Sequence, residues 1–239
     1  MQELFGWMPR SVRRVISKLA EHYMPLGFAG GNVRSWIQAL EVDLQRGLPL
    51  IASYFDATTR GQLMSQHAGW ELAAEAIHRE RVPYHPDLLQ RATRMDFANY
   101  LTEDILVKVD RTSMMNSLEV RAPLLDQSVI EFAFGKIPSR LKATQHSKKI
   151  LLKRLTARLL PPAFDRHRKQ GFSIPLAAWL KSGPFLDMFR EVLLDEGCMF
   201  DRRTVCRLFK GQERGRSNGE RLFALVLFEL WRREYHISI

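Results

Sequence analysis

Apolar residues recur along the chain at spacings of three and four, and no stretch alternates apolar and polar positions as a half-buried strand would. The spacing predicts helices over 10–23, 33–45, 60–80, 86–100, 103–118, 126–134, 148–160, 175–181, 185–195, 203–210 and 218–235. Glycine, proline and polar turn formers break the pattern at "PLGFAGGN", "RVPYHP", "RAPLLD", "KIPSRLKATQHS", "LLPPAFDRHRKQGF" and "KGQERGRSNGE". There is no repeat at a solenoid period and no low-complexity tract. The last segment, "ERLFALVLFELWRREY", is apolar over most of its circumference and is expected to be a buried helix. The fold class is therefore all-α as the sequence stands.

One segment carries a denser charge pattern than the rest: "YLTEDILVKVDRTSMMNSLEVRAPLLD", residues 100–126. Thr102 can cap a helix whose first turn holds Glu103 and Asp104, both favoured at the positive end of the helix dipole. Ile105, Leu106 and Val109 supply its apolar face, while Lys108, Asp110 and Arg111 set alternating charge among Met114, Met115 and Leu118. Pro123 pushes Ala122 towards extended backbone, so the helix must end before "RAP". Glu119 and Arg121 then lie on the exiting chain, and Asp126 caps the next helix. Spacing alone supports two readings of these charges. They are surface groups in salt bridges of little energy, or a buried Asp/Arg/Glu/Arg network that shapes an anion pocket.

A second stretch, "RHRKQGFSIPL" at 166–176, crowds four residues able to carry positive charge beside a Gly-Phe corner. Such groups repel one another, which points to an anionic visitor. The whole chain has the same sign, since 36 Lys and Arg against 26 Asp and Glu give +10. That balance attracts anions without choosing among nucleic acid, membrane headgroups, phosphate-bearing small molecules and a merely solvated basic face. With 46% apolar and 26% charged residues among 239, the composition is that of a folded globular protein. No apolar run approaches the ~18 residues of a membrane span, and "MQELFGWMPR" lacks a signal-peptide pattern. The expected setting is cytoplasmic, with no membrane partner. Cys198 and Cys206 form no CxxC pair and are expected as reduced, packing thiols. The histidines show no ligand spacing, so no metal site is expected.

Four stretches together resemble one family. "DILVKVDRTSMMNSLEVRAPLLD" resembles the signature of the synthetase domain of glutamine-hydrolysing asparagine synthetases. "KKILLKRLTARLLPP" is similar to that family's helix ending at a double proline, and "RKQGFSIPLAAWL" to its lysine-bearing loop and following helix. "RLFALVLFELWRREY" is similar to its closing helix. The stretches come in the family's order across about residues 85–235. The resemblance implies an amide ligase that uses ATP and Mg2+. In that chemistry the side-chain carboxylate of aspartate, or a related carboxylate, attacks the α-phosphorus and pyrophosphate leaves. Glutamine-derived ammonia then attacks the acyl-adenylate. Fixed cations aimed at the developing charge lower the barrier because they need no reorganisation.

By this resemblance Lys169 is the active-site lysine, a compact charge with rotatable donors. Gly171 lets its loop turn sharply, and Phe172 pins that loop to the core. His167 stands where many relatives carry arginine. Lys108, Asp110, Arg111, Glu119 and Arg121 match motif positions expected around the nucleotide or aspartate pocket, or holding the lysine loop in place.

Two family elements are not found in the sequence. One is an S-G-G-x-D-S loop after a buried strand, whose backbone N–H groups cradle pyrophosphate. "FAGGNVRS" at 28–35 does not qualify: no apolar strand precedes Gly30 and Gly31, and Val33 and Arg34 displace the acidic residue. It reads as a flexible turn capped by Asn32. The other is the glutaminase half, which opens on a nucleophilic cysteine, whereas here Gln2 follows Met1. "QELFG" at 2–6 is similar to the family's "DELFGGY" element, which makes Glu3 a candidate site residue. Aligning "LFGWMPRSVRRVISKLA" with the variable helical stretch downstream serves equally well.

The expected organisation follows. Residues 1–84 form a helical segment adjoining a nucleotide-binding sheet outside this sequence. Residues 85–239 form the helical C-terminal portion of the α/β adenine-nucleotide-binding (PP-loop) synthetase domain. A gene fragment is the least elaborate origin; a subunit completed by a second polypeptide and a degenerate paralogue are the others. Helices that normally cover the sheet would be bare, which predicts poor solubility or self-association, a homo-oligomer included. The rival from another class is a basic helical nucleic-acid-binding protein, resting on "RSVRR", "SKKILLKR" and "RHRK". Those clusters are spread over separate helices without a recognition motif. A steep salt dependence of retention on DNA or heparin would favour that rival.

Overall fold

Asp56, Asp87, Asp126 and Asp201 each turn a carboxylate back onto amides of the helix that follows, and this fixes where those helices begin. The computed structural model describes residues 8–24, 37, 53–65, 76, 77, 80–82, 84–161, 163, 164 and 174–237. In chain order the elements start with α1 (Arg10–Tyr23), α2 (Ala57–Leu63) and α3 (Leu88–Asp96). A π-helical segment (Phe97–Ile105) runs straight into α4 (Leu106–Met114), and a 3-10 turn (Pro123–Leu125) leads to α5 (Gln127–Gly135). Then come α6 (Ser139–Lys142), α7 (Ile150–Leu159), α8 (Leu176–Trp179), α9 (Pro184–Leu194), α10 (Arg202–Glu213) and α11 (Gly219–Glu234). Among the described residues there is no strand, only an isolated antiparallel bridge between Ala143 and Lys148. The helical reading holds.

The ranges expected at 10–23, 126–134, 148–160, 175–181, 185–195 and 218–235 match the observed helices to within two residues. Three expectations are corrected. The helix expected over 60–80 starts at Ala57, behind the Asp56 cap, and breaks after Leu63, where Met64 leaves helical backbone at φ −115, ψ 54; of the rest of that range, 66–75, 78 and 79 lie outside the described residues, while 76, 77 and 80 are helical. The break expected between 100 and 103 is filled by the π segment. Thr102 caps nothing there: its hydroxyl donates back to the Ala98 carbonyl at 2.9 Å and to the Asn99 carbonyl at 3.1 Å. The helix expected over 33–45 falls outside the described residues except at residue 37.

By packing, the chain divides into a unit of Met1–Ala76 with Ser173–Ile239 and a unit of Ile77–Phe172. The expected boundary at 84/85 concerns which residues carry the family motifs and is a separate matter. The first unit's core is made by α2, α9, α10 and α11 through Leu63, Phe189, Val192, Leu193, Val205, Leu208, Leu222 and Val226. On α11 the buried positions are Leu222, Leu225, Val226 and Glu229, an i, i+3, i+4, i+7 stripe. Leu227, Trp231 and Tyr235 on the opposite side are exposed, so this helix is buried on one face rather than all round.

Glu229 is an acid on the apolar stripe, and its side chain is fully buried. Arg232 reaches it from one turn on, with Nη2 at 2.7 Å from Oε1 and Nε at 3.0 Å from Oε2. Arg233 adds Nε at 2.9 Å to Oε1. Each arginine then donates outward to a backbone carbonyl, Arg232 to Gly197 at 2.8 Å and Arg233 to Val192 at 3.1 Å. The carboxylate thereby ties α11 to the end of α9 and the following loop.

Gly211 of α10 shows how tightly α10 and α11 meet. A methyl group added there would come within 2.6 Å of Asn218 Nδ2. Asn218 cannot step aside freely, because it is buried and that amide donates to the Leu208 carbonyl at 3.0 Å. Gly211→Ala gains about 1 kcal/mol of helix propensity, against about 1–3 kcal/mol for overpacking and a similar figure if the buried amide bond breaks. The expected result is a net loss of about 1–3 kcal/mol in denaturant unfolding; a neutral or stabilised variant would contradict the contact.

The second unit is packed differently. Its buried side chains include Gln90, Arg91 and Asn99 on the α3–π run, with Val82 as a buried apolar residue. Gln90 donates to the Ile137 carbonyl at 3.0 Å and accepts from Lys142 Nζ at 2.7 Å. Arg94 donates to the Phe134 carbonyl at 3.3 Å. Arg94 thereby satisfies a carbonyl in the last turn of α5, where the helix itself offers no amide, and Gln90 one in the link that follows. Lys142 and Arg94 also lie over the Phe134 ring, at 4.9 Å and 5.2 Å. Burial, and then the neighbouring Arg94, hold the Lys142 ammonium below its usual range.

Candidate functional site

α4 ends on its own polar side chains. The Thr112 hydroxyl donates to the Lys108 carbonyl at 2.7 Å, Ser113 Oγ to the Asp110 carbonyl at 3.0 Å, and Asn116 Nδ2 to the Thr112 carbonyl at 2.8 Å. The ladder runs on to the Met115 amide on the Arg111 carbonyl, so the first two are second bonds to carbonyls inside the helix, and Asn116 takes the Thr112 carbonyl, whose own amide partner is lost at the C-terminus. Ser117 then takes a left-handed φ of 55, and the Leu118 amide closes the turn onto the Ser113 carbonyl at 3.0 Å. Ala122 is extended ahead of Pro123, as the proline requires, and Asp126 caps α5 by accepting from the Ser128 amide.

Glu119 and Arg121 lie on this irregular exit, two residues apart. There they pair, with Arg121 Nε and Nη2 each 2.7 Å from Glu119 Oε1. Both side chains are far out in solvent, 86% and 70% exposed for Arg121 and Glu119. Such a pair contributes about 0–1 kcal/mol. Arg121→Ala is therefore expected to change unfolding stability by no more than about 0.5 kcal/mol. A loss several times larger would mean that the pair is load-sharing within the fold.

On α4, Lys108 reaches back to Asp104 at 3.8 Å, an i, i+4 pair with the acid N-terminal to the base. Lys108 and Arg111 share a helix face at i, i+3, and Asp110 lies across the axis from them. All three are exposed, and neither Asp110 nor Arg111 makes an ion pair among the described residues. The structure thus brings together Glu119 with Arg121, and Lys108 with Asp104. The described charges form an exposed row, the first of the two readings drawn from spacing, not a buried network. Lys169 and Glu3 lie outside the described residues.

An exposed Lys108–Arg111 face can meet an anion, but water and salt screen it heavily while it stays open. Among the described residues no three His, Cys, Asp or Glu side chains converge on one point as a metal site. No described helix is long and apolar enough to cross a membrane. Two features escaped the sequence reading. One is the Glu229 clamp, whose signal was an acid on an apolar stripe followed by arginines three and four residues on. The other is the π segment, for which the sequence held no signal.

Comparison with known proteins places these motifs. The family model described as asparagine synthase matches residues 2–233. Asparagine synthetase (glutamine-hydrolyzing) 1 of Bacillus subtilis (strain 168) is 28% identical over 233 residues, covering 95% of this chain and 36% of the relative. A Mycobacterium tuberculosis H37Rv protein with the provisional name asparagine synthetase (glutamine-hydrolyzing) is 27% identical over 246 residues, covering 95% of this chain and 35% of the relative. The chain spans about a third of the length of these relatives. No solved structure matches it significantly. With the family model matching nearly from end to end, the chain belongs to the asparagine synthase family.

Proposed function

We propose that this chain contributes to an ATP-dependent, AMP-forming amide ligase of the glutamine-hydrolysing asparagine synthetase type. The observation that carries the reading is the family match over residues 2–233, with the four motifs in family order. In the proposed reaction a carboxylate oxygen of aspartate forms a bond to the α-phosphorus of ATP. The bond from that phosphorus to the bridging oxygen breaks, and pyrophosphate departs with its electron pair. Ammonia then bonds to the acyl carbon, AMP leaves, and the nitrogen gives up a proton.

Lys169 is the residue proposed to follow charge from phosphorus to the tetrahedral intermediate. Lys108, Asp110, Arg111, Glu119 and Arg121 are proposed to line the nucleotide or aspartate side, with Glu3 as a further candidate. The Lys108–Arg111 face has the charge sign a nucleotide phosphate requires. Mg2+ would arrive with the nucleotide; no described residue is assigned to hold it. Residues 1–84 are proposed to adjoin the nucleotide-binding sheet of the PP-loop domain and 85–239 to form its helical C-terminal portion, in the cytoplasm. The rival nucleic-acid-binding reading gains nothing from the comparisons.

The test is a chimera in which this chain replaces the matching 36% of the Bacillus subtilis relative. It should release pyrophosphate in an aspartate- and ATP-dependent way with ammonium as nitrogen source, one AMP per asparagine. The 239-residue chain alone should release none. A folded chimera that binds ATP yet leaves aspartate untouched would overturn the reading.

A further inference from the structure

A helix as short as α7 is marginal in water by itself, so it is held by what its apolar face meets. Helices of similar length in this chain meet that need internally. α9 buries Leu186, Phe189, Val192 and Leu193, and α10 buries Val205, Leu208 and Phe209. α7 carries four leucines in ten residues and buries none of them. Leu152, Leu155 and Leu159 stand at i, i+3 and i+7, one stripe along the helix, and are 42%, 48% and 71% exposed. A contiguous apolar row left in water marks an interaction surface.

Charge narrows what can cover that row. Between Glu131 and Asp165 the chain has eight Lys and Arg and no acid. Arg154 and Arg158, at i, i+4, run beside the leucines, Lys153 lies on the other flank, and all three are exposed. Pairing two α7 stripes from two copies would set these like charges against one another. Nucleic acid is met by cations with polar or aromatic groups, not by a row of leucines. A protein surface with an acidic border round an apolar patch satisfies both requirements. The relatives offer such a surface room: this chain covers 36% and 35% of the Bacillus subtilis and Mycobacterium tuberculosis proteins, leaving about two thirds of each beyond the match.

We propose that the Leu152–Leu155–Leu159 stripe of α7 is the docking surface for the remaining part of a synthetase of this family, and that the patch it meets is apolar with acids facing Arg154 and Arg158. The inference rests on the proposed function in one respect, that this chain works joined to such a remainder. Docking removes the leucines from water, and the acids neutralise cations that no acid of the 132–164 stretch can reach from within it.

The test is alkylation of Leu155→Cys by N-ethylmaleimide, read at that residue by mass spectrometry without ATP or aspartate. It is run in the 239-residue chain and in the chimera with the Bacillus subtilis relative. The chimera should label about tenfold more slowly than the chain, because thiol reactivity follows exposure. Adding Arg154→Glu with Arg158→Glu to the chimera should return about tenfold of that rate, since acids would then face acids. Equal rates in chain and chimera would overturn the docking, and protection that survives the charge reversal would overturn its acidic border. Protection of the chain alone by raising its own concentration, or by phosphatidylglycerol vesicles, would assign the stripe to a second copy or a lipid surface and overturn the proposal. If the chimera does not fold, the Bacillus subtilis protein decides, with cysteine at its residue matching Leu155: it must label about tenfold more slowly than Leu155→Cys in the chain. The readout involves no amide formation, so protection in a chimera that makes no asparagine would sink the ligase reading and leave the docking intact.

Discussion

Lys169→Ala is expected to lower the rate of amide formation by about 10²–10³-fold in the chimera, with the fold intact by circular dichroism. The size follows from simple electrostatics. A unit charge about 4 Å from the departing pyrophosphate, at an effective dielectric of about 20, contributes about 4 kcal/mol. At about 1.4 kcal/mol per decade that is nearly three decades of rate. Only the share realised in the transition state accelerates the reaction, so kcat should fall more than the aspartate KM rises. Lys169→Arg should restore part of the rate: it keeps the charge but replaces a compact, rotatable ammonium by a planar fork. The measurement is aspartate-dependent pyrophosphate release at saturating ATP. Release at an undiminished rate in the alanine variant removes Lys169 from the chemistry.

Glu229→Ala is expected to destabilise the first unit by about 3–5 kcal/mol, the usual cost of breaking a buried ion pair on one side. The loss is not that of a single contact. Arg232 and Arg233 would keep their charges near the core without the carboxylate both of them face, and the bridge from α11 to the α9 end would open. Replacing the trio by apolar residues of similar volume would cost less than removing Glu229 alone, because no unpaired charge is then left behind.

The same cluster gives an acid limit. Burial pushes the Glu229 carboxyl up, but the hydrogen bonds from Arg232 and Arg233 outweigh it, so the group is held below its ordinary range. As pH falls through about 4, the unfolded chain takes up this proton before the folded one does. Stability from Glu229 is therefore fully present above that range and drains away as pH drops further. Equilibrium unfolding followed from pH 7 to 3 should show the fall in the native chain. The alanine variant should lack that component; identical pH slopes in both would contradict the clamp.

How far the site was legible can be judged from particular residues. Pro123 alone dictated an extended Ala122 and a helix that ends before it, which left Glu119 and Arg121 on the exiting chain; their pairing was seen only in the structure. The Asp126 cap was equally readable, because a cap involves a side chain and an amide only two residues apart. Thr102 was misread for a related reason. A threonine followed by two acids is a good local start signal, but the chain reached it already helical from α3, and its hydroxyl turned to the carbonyls behind it. The exposure of Lys108 was not legible at all: α4 buries no residue on any side, which depends on the surfaces it meets and not on its own sequence.

The sequence by itself determined the helical class, most helix ends, the order of the family motifs and the sign of the charge. Each of these depends on near neighbours, on backbone limits such as proline's, or on simple addition of charges. Tertiary structure decided that Glu229 is enclosed by two arginines, that α11 buries one face only, and that the "KVDR" charges stand in solvent. Those outcomes turn on which surfaces meet, and that is not carried by any short stretch of residues.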